Sequence, residues 1–165
     1  MKQLFTLMLL IGVVQFSKAQ ISAKLMRYLD VSDTHISFVY GGDIWLVDKN
    51  GGTAVQLTSS DGEEVYPKFS PDGKEIAFTA VYNGNYDVYV MPVTGGVRTR
   101  LTYGSHFDRM VEWHPDGSKI IFASRRETGI PSGRVNQLFS ISKTGGMPER
   151  LPIPYGEIAT FNADG

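Results

Sequence analysis

The 165-residue sequence contains no cysteine, which excludes a disulfide-stapled scaffold, a thiolate zinc site and a cysteine nucleophile. It also lacks an excess of one charge sign, because 16 Lys and Arg residues face 17 Asp and Glu residues. A chain with so balanced a charge has no overall electrostatic field that attracts nucleic acid or anionic lipid, and we expect neither as a partner. With 42% hydrophobic and 20% charged residues, the composition is typical of a folded globular protein.

Long apolar runs are confined to the first twenty residues. Lys2 provides a positive start, and residues 4–16 form an apolar stretch that is short for a membrane span. Ser17 and Ala19 then place small residues where a cleavage site requires them. The pattern predicts a signal peptide over residues 1–19 and an exported protein, periplasmic or secreted, without a membrane span. A buried N-terminal helix or strand is the alternative.

The rest of the sequence is repetitive. The triplet Pro71-Asp72-Gly73 recurs 44 residues later as Pro115-Asp116-Gly117, with similar apolar segments on both sides. A Gly-Gly pair follows in each copy, at residues 51–52, 95–96 and 145–146. Length differences between the copies fall in the turns and loops, which is typical of true structural repeats.

Each copy predicts four β-strands. In the second copy, turn signals separate the segments Val65–Phe69, Glu75–Ala80, Asp87–Met91 and Val97–Thr102. The two middle segments are apolar on both faces, as in a sheet covered on both sides, and Pro67 restricts the first segment to a sheet edge. Four-stranded antiparallel sheets of this length predict an all-β fold, a β-propeller, with a β-sandwich as the alternative.

The repeat offsets divide the chain into blades at residues 22–58, 59–102 and 103–151. Residues 161–165 match residues 113–117 of the third copy at an offset of 48, so residues 152–165 are predicted to begin a fourth blade with its first strand. Three blades and one strand make an incomplete ring, because propellers use about four to eight blades. We therefore expect the chain to be part of a longer protein.

The search for catalytic, metal or cofactor motifs finds none. Ser105, His106 and Asp108 invite comparison with a catalytic triad, but neighbours in one short loop rarely place nucleophile, base and orienting acid correctly. His35 and His114 lie in predicted turns and are interpreted as solvated residues. We predict no catalytic residue, no metal site and no cofactor in this chain.

Two sets of segments resemble known families. The unit Tyr66–Phe78, followed by Asp87–Pro92, resembles the WD40-like propeller repeats of TolB, prolyl-oligopeptidase relatives and tricorn-type proteases. Other segments resemble the tricorn-type proteases specifically: the opening Met26–Ser32 with Tyr40–Trp45, and the later Ser124–Glu127, Asn136–Phe139 and Gly146–Pro152.

The tricorn resemblance implies an N-terminal propeller that filters and guides peptide substrates. It also implies later domains in the same chain, namely a second propeller, a PDZ-like domain and a serine-protease domain with the catalytic residues, and a homo-oligomer when full length. Two alternatives remain open: a TolB-like periplasmic scaffold that binds proteins, and the gating propeller of an exported prolyl-oligopeptidase-like peptidase.

The same resemblance implies a substrate-binding role for Arg125 and Arg126. They match, in approximate placement, an arginine pair that holds the C-terminal carboxylate of the peptide in tricorn-type proteases, and a guanidinium fork suits a carboxylate. The alternative is a solvated strand end with a weak ion pair to Glu127. Because consecutive strand residues point to opposite faces, both arginines can serve only if the strand ends before them.

Overall fold

The computed structural model describes residues 25–126 and 135–162, and the predicted signal peptide over residues 1–19 lies outside them. This part of the chain forms three four-stranded antiparallel sheets. Their strands are β1 (Arg27–Val31), β2 (His35–Tyr40), β3 (Asp43–Asp48), β4 (Val55–Gln56), β5 (Glu64–Phe69), β6 (Glu75–Val81), β7 (Tyr86–Pro92), β8 (Thr99–Arg100), β9 (Arg109–Trp113), β10 (Lys119–Ser124), β11 (Gln137–Ser142) and β12 (Glu149–Arg150).

The predicted all-β fold of four-stranded antiparallel blades is confirmed. Within every sheet the strands pair in chain order, so each sheet is a meander. The first sheet spans residues 27–56, the second 64–100 and the third 109–150. The finer blade boundaries stay a prediction.

The Pro-Asp-Gly turns explain why this triplet recurs. Gly73 adopts a φ of 67°, a left-handed conformation that glycine tolerates and other residues rarely do. The side chain of Asp72 accepts a hydrogen bond from the Lys74 amide at 3.1 Å, and Asp116 accepts one from the Ser118 amide at 2.8 Å. In both blades the aspartate thus satisfies a turn amide that the short connection leaves without a strand partner.

The core consists of apolar layers between the blades. The layer between the first and second blades contains Val39, Ile44, Leu46, Phe69, Ile76, Phe78, Ala80, Tyr89 and Met91. The layer between the second and third blades contains Ala77, Val88, Val90, Leu101, Met110, Trp113, Ile120, Phe122, Phe139 and Ile141. The middle strands are therefore buried on both faces, as their uninterrupted apolar segments predicted.

The first strand of each sheet lies at its inner edge, and β5 contacts both β1 and β9. We call β1, β5 and β9 together the inner wall. The pairing of each inner strand is interrupted by a register shift, which in β5 falls between Val65 and Lys68. Pro67 lies in this bulge, where its missing amide hydrogen costs no ladder bond.

The predicted first strand of a fourth blade does not form within residues 152–162. The apolar pattern nevertheless places Phe161 as expected, because it packs with Ala159 against the outer face of the third blade. Its ring lies 5.1 Å from that of His114. Burial of a side chain needs only an apolar surface, whereas a strand also needs a neighbour for its hydrogen bonds, and no described residue supplies one here.

Candidate functional site

A groove of about 480 Å³ runs along the inner wall. Its lining comes from all three inner strands and from the segment after β12, and includes Tyr28, Leu29, Tyr66, Arg109, Met110 and Ile158. We call it the inner-wall groove. Leu29 and Ile158 are 62% and 84% exposed, so the groove presents bare apolar surface.

Two tyrosines form one side of the inner-wall groove. Tyr28 and Tyr66 occupy equivalent bulge positions of β1 and β5, and their φ angles are 54° and 55°. A left-handed backbone is uncommon for a bulky residue and costs of order 1–3 kcal/mol. The bulges bring the two rings together, with centroids 4.4 Å apart and planes tilted by 52°.

A row of alternating charges follows the same three strands. Lys68 of β5 forms ion pairs with Asp30 of β1 at 3.1 Å and with Glu112 of β9 at 3.5 Å. Burial lowers the pKa of Lys68, but the two carboxylates outweigh burial and raise it above its usual value. Asp30 also accepts a hydrogen bond from the Phe69 amide at 2.8 Å, so this row fixes the register between blades.

Two arginines flank the tyrosine pair. The guanidinium of Arg109 lies over the Tyr66 ring, 5.5 Å from its centroid, and that of Arg27 lies 5.8 Å from the centroid of Tyr28. Arg109 donates a hydrogen bond from Nη2 to the main-chain oxygen of Glu157. Across residues 25–126 and 135–162, neither arginine has a carboxylate within ion-pair distance.

A buried carboxylate occupies the junction of the first and second blades. Glu64 is fully buried and accepts hydrogen bonds from the hydroxyls of Thr58 and Tyr82, and from Ser60 Oγ at 3.1 Å. Arg98 Nη1 approaches the same carboxylate at 3.5 Å. Burial and the neighbouring Glu64 raise the pKa of Tyr82 far above its usual value, so Tyr82 stays a hydrogen-bond donor.

The equivalent junction of the second and third blades contains Asp108 and Arg126. Asp108 is 1% exposed, and its Oδ2 accepts a hydrogen bond from Arg126 Nη2 at 2.5 Å. The guanidinium also lies over Phe122 and Phe139, 4.7 and 5.4 Å from their ring centroids. Arg126 is thus packed into the junction, with its charge opposite the chain's own carboxylate.

Arg125 differs from its neighbour. Its side chain is exposed, and its Nε donates to Asn136 Oδ1 at 3.0 Å. The strand β10 ends at Ser124, yet the two guanidiniums still have different partners. The structure therefore does not bring Arg125 and Arg126 together as a fork, and their substrate-binding role stays a prediction.

The three histidines have separate local surroundings. His35 Nδ1 lies 2.8 Å from the Thr34 hydroxyl, and His114 Nδ1 lies 2.9 Å from a carboxylate oxygen of Asp116. The main-chain oxygen of His106 accepts a hydrogen bond from the Asn85 amide. In the described ranges we find neither a group of three or more potential metal ligands nor a helix with the length and apolarity to cross a membrane.

The sequence analysis missed the tyrosine pair, although one signal was present. Tyr28 precedes Tyr66 by 38 residues, the same offset that separates Ser32 from Ser70. The offset indicates that the two tyrosines occupy equivalent positions of the repeat. The bulges that direct both rings into one groove cannot be recognised from the sequence.

Comparison with known proteins relates this chain to one family. Residues 23–165 match the model of the tricorn protease N-terminal β-propeller domain. The chain is 29% identical over 126 residues to tricorn protease homolog 1 of Streptomyces coelicolor, which covers 75% of this chain and 12% of the relative.

Two solved structures share the fold. The tricorn protease superposes with a TM-score of 0.67 at 24% identity, over 77% of this chain and 13% of that protein. TolB from Acinetobacter baumannii gives a TM-score of 0.63 at 30% identity, over 80% of this chain and 33% of TolB. The chain thus spans 12% to 33% of the length of these three proteins.

Proposed function

Because the chain belongs to the tricorn protease N-terminal β-propeller family, we propose that it is a non-catalytic propeller segment that filters and guides peptides for an exported tricorn-like serine protease. The family match over residues 23–165 carries this proposal. In it, the catalytic residues belong to later domains of the same chain, the full-length protein is a homo-oligomer, and the site of action is periplasmic or secreted.

The inner wall supports a guiding role. It offers an open groove with exposed apolar side chains, paired tyrosines and the guanidinium of Arg109, which suits extended peptides. The charged side chains of Asp30, Lys68 and Glu112 form ion pairs with one another, so they do not need a charged partner from the peptide.

A substitution that narrows this wall tests the proposal. Leu29→Trp adds bulk at a 62% exposed position in the groove, and Val97→Trp adds the same bulk at an 85% exposed position that does not line it. In the complete protein, we expect Leu29→Trp to slow hydrolysis of long peptides while short fluorogenic peptides are cleaved at the normal rate. Equal hydrolysis of long peptides by both variants, or no peptidase activity in the complete protein, would contradict a filter.

Within this function, we propose that Arg125 holds the C-terminal carboxylate of the peptide. Arg126, the next residue in the chain, contributes to the same carboxylate-binding site. The support is exposure, because the exposed side chain of Arg125 donates to the neutral side-chain amide of Asn136, whereas Arg126 already faces Asp108. Arg125→Met should slow hydrolysis of free-acid peptides and leave their C-terminal amides unaffected. Lys74→Met, at an exposed turn, is the matched control.

The similarity to TolB supports a second candidate, a periplasmic scaffold that binds proteins without hydrolysing them. The same assay separates the two candidates. A complete protein that retains a protein partner from a periplasmic extract but cleaves no peptide favours the scaffold.

A further inference from the structure

We propose that the inner-wall groove is a peptide subsite that takes a large apolar or aromatic side chain next to a carboxylate side chain. This proposal rests on the proposed peptide-guiding function and names the kind of peptide that the groove selects. Three observations carry it: the aromatic wall, the backbone conformation that builds the wall, and the unused hydrogen-bond donors of Arg109.

The aromatic wall provides the apolar part of the subsite. Tyr28 and Tyr66 are each only partly buried, with ring centroids 4.4 Å apart, and Leu29 and Ile158 extend the same surface. Tilted aromatic pairs leave ring faces and edges open to a further aromatic group, and such contacts strengthen binding beyond what area burial alone provides. An aromatic side chain of an extended peptide fits this surface.

The backbone at the tyrosines points to a role beyond packing. Tyr28 and Tyr66 both adopt a left-handed conformation that glycine would occupy without strain. In the third blade the equivalent residue is Met110, which has an ordinary φ and is 2% exposed. The fold therefore accommodates a buried residue at this position without strain, and two of the three blades instead hold a strained tyrosine towards the groove.

Arg109 provides the polar part. A guanidinium has five N–H donors, and within the described ranges Arg109 uses one, towards the main-chain oxygen of Glu157. The carboxylates that line the groove have other partners: Glu112 pairs with Lys68 at 3.5 Å, and Glu157 accepts from Asn136 at 3.2 Å. A carboxylate on the bound peptide complements this cation.

Binding of labelled, C-terminally amidated peptides to the complete protein tests the proposal. The probe is Gly-Gly-Phe-Asp-Gly-Gly, compared with versions in which Phe is replaced by Ala or Asp by Asn. Fluorescence anisotropy measures the Kd, and mass spectrometry verifies that the peptide remains intact. Amidation removes the terminal carboxylate, so anchoring by Arg125 does not contribute.

Two substitutions remove the two parts of the subsite separately. Tyr66→Gly deletes the ring and suits the positive φ, so we expect a folded protein that binds the Phe peptide about three- to tenfold more weakly and no longer distinguishes Phe from Ala. Arg109→Met should weaken binding about tenfold and abolish the preference for Asp over Asn. Two control variants should bind like the unaltered protein: Tyr103→Gly, at an exposed tyrosine that also lies under an arginine, and Lys74→Met.

The proposal is overturned if the Phe-Asp peptide binds no better than its Ala and Asn versions, or if Tyr66→Gly and Arg109→Met bind it with unchanged affinity. Failure of the subsite is distinguishable from failure of the proposed function. A complete protein that cleaves peptides without this selectivity refutes only the subsite, whereas selective binding without any cleavage refutes the protease function and leaves the subsite standing.

Discussion

The second and third blades have the same strand register but stabilise their inner junctions with different chemistry. In both, a buried carboxylate lies at the beginning of the inner strand, Glu64 in the second blade and Asp108 in the third. Glu64 accepts hydrogen bonds from three hydroxyls, with Arg98 at a longer distance. Asp108 depends on one short ion pair, and its Oδ1 has no hydrogen-bond partner in the described part of the chain.

The partners of these carboxylates are themselves repeat-equivalent. Tyr82 and Arg126 both follow the second strand of their blade, 44 residues apart, and both reach back to the carboxylate at the beginning of the inner strand. A neutral hydroxyl network and a charged pair thus perform the same task. Glu64, with its several partners, should tolerate the loss of one of them, whereas Asp108 should not tolerate the loss of Arg126.

The largest loss of stability should follow from substitution of Trp113, which packs at the junction between the second and third blades. Trp113 is 3% exposed, and its Nε1 donates to the main-chain oxygen of Lys68 at 2.9 Å. Trp113→Ala should lower the free energy of unfolding of the intact protein by about 3–5 kcal/mol. Trp113→Phe introduces the residue type that the second blade has at the equivalent position, Phe69. It should lower the free energy of unfolding by less than Trp113→Ala. Equal denaturant midpoints for the two variants would contradict this assignment.

Arg126→Met should destabilise by about 3 kcal/mol, because it removes the guanidinium that pairs with the buried Asp108. The adjacent Arg125→Met should change the free energy of unfolding by less than about 0.5 kcal/mol, since its side chain is exposed. Denaturant unfolding of the intact protein measures both. The double variant Arg126→Met/Asp108→Asn should recover part of the loss, and a double variant less stable than Arg126→Met would argue against the pair.

Tyr82→Phe removes the repeat-equivalent partner in the second blade. Glu64 keeps Thr58, Ser60 and Arg98 as partners, so we expect a loss of about 1 kcal/mol, well below that of Arg126→Met. A loss as large as that of Arg126→Met would show that the hydroxyl network has no redundancy.

The smallest change in stability is expected from the exposed carboxylates of the turns. Hydrogen bonds from Ser118, with a further contribution from His114, lower the pKa of Asp116 from 3.8 to about 2, and Ser70 and the Lys74 amide lower that of Asp72. Their stabilisation is therefore present above the unfolded-state pKa and is lost as the pH falls through the folded-state value.

Thermal unfolding between about pH 6 and pH 2 checks this expectation. The stability difference between the unaltered protein and Asp116→Asn should shrink as the pH falls, and the change should be smaller for Asp72→Asn. A difference that does not vary with pH would exclude the turn carboxylate as a source of acid sensitivity.

Much of the fold follows from local sequence signals. The recurrent Pro-Asp-Gly and Gly-Gly turns placed β6 and β7 to within one residue at each end, because turn chemistry and uninterrupted apolar segments act locally. The outer strand was predicted as Val97–Thr102, but only Thr99–Arg100 pair with β7. An outermost strand has one neighbour, so its length depends on how far the twisted sheet keeps it within hydrogen-bonding range.

The candidate site was predictable only in part. The adjacent arginines stood out in the sequence, but Arg126 pairs with Asp108, which lies 18 positions away at the beginning of the inner strand of the same blade. The tyrosine pair escaped notice because the bulges that orient Tyr28 and Tyr66 arise from the pairing of β1 and β5 with their neighbours. Side-chain direction at a bulge is a property of the ladder and not of the residue itself.

By itself, the sequence determined the number of repeats, the four-strand unit, the turn positions and the burial of the middle strands, because each depends on local propensity and on the alternation or continuity of apolar residues. Only the tertiary structure decided which carboxylate each arginine faces, where the inner strands bulge, and that Tyr28, Tyr66 and Arg109 border one groove. The ion pairs and bulges join separate strands of one blade and the groove joins different blades, so their energies exist only once the strands have paired and the blades have packed.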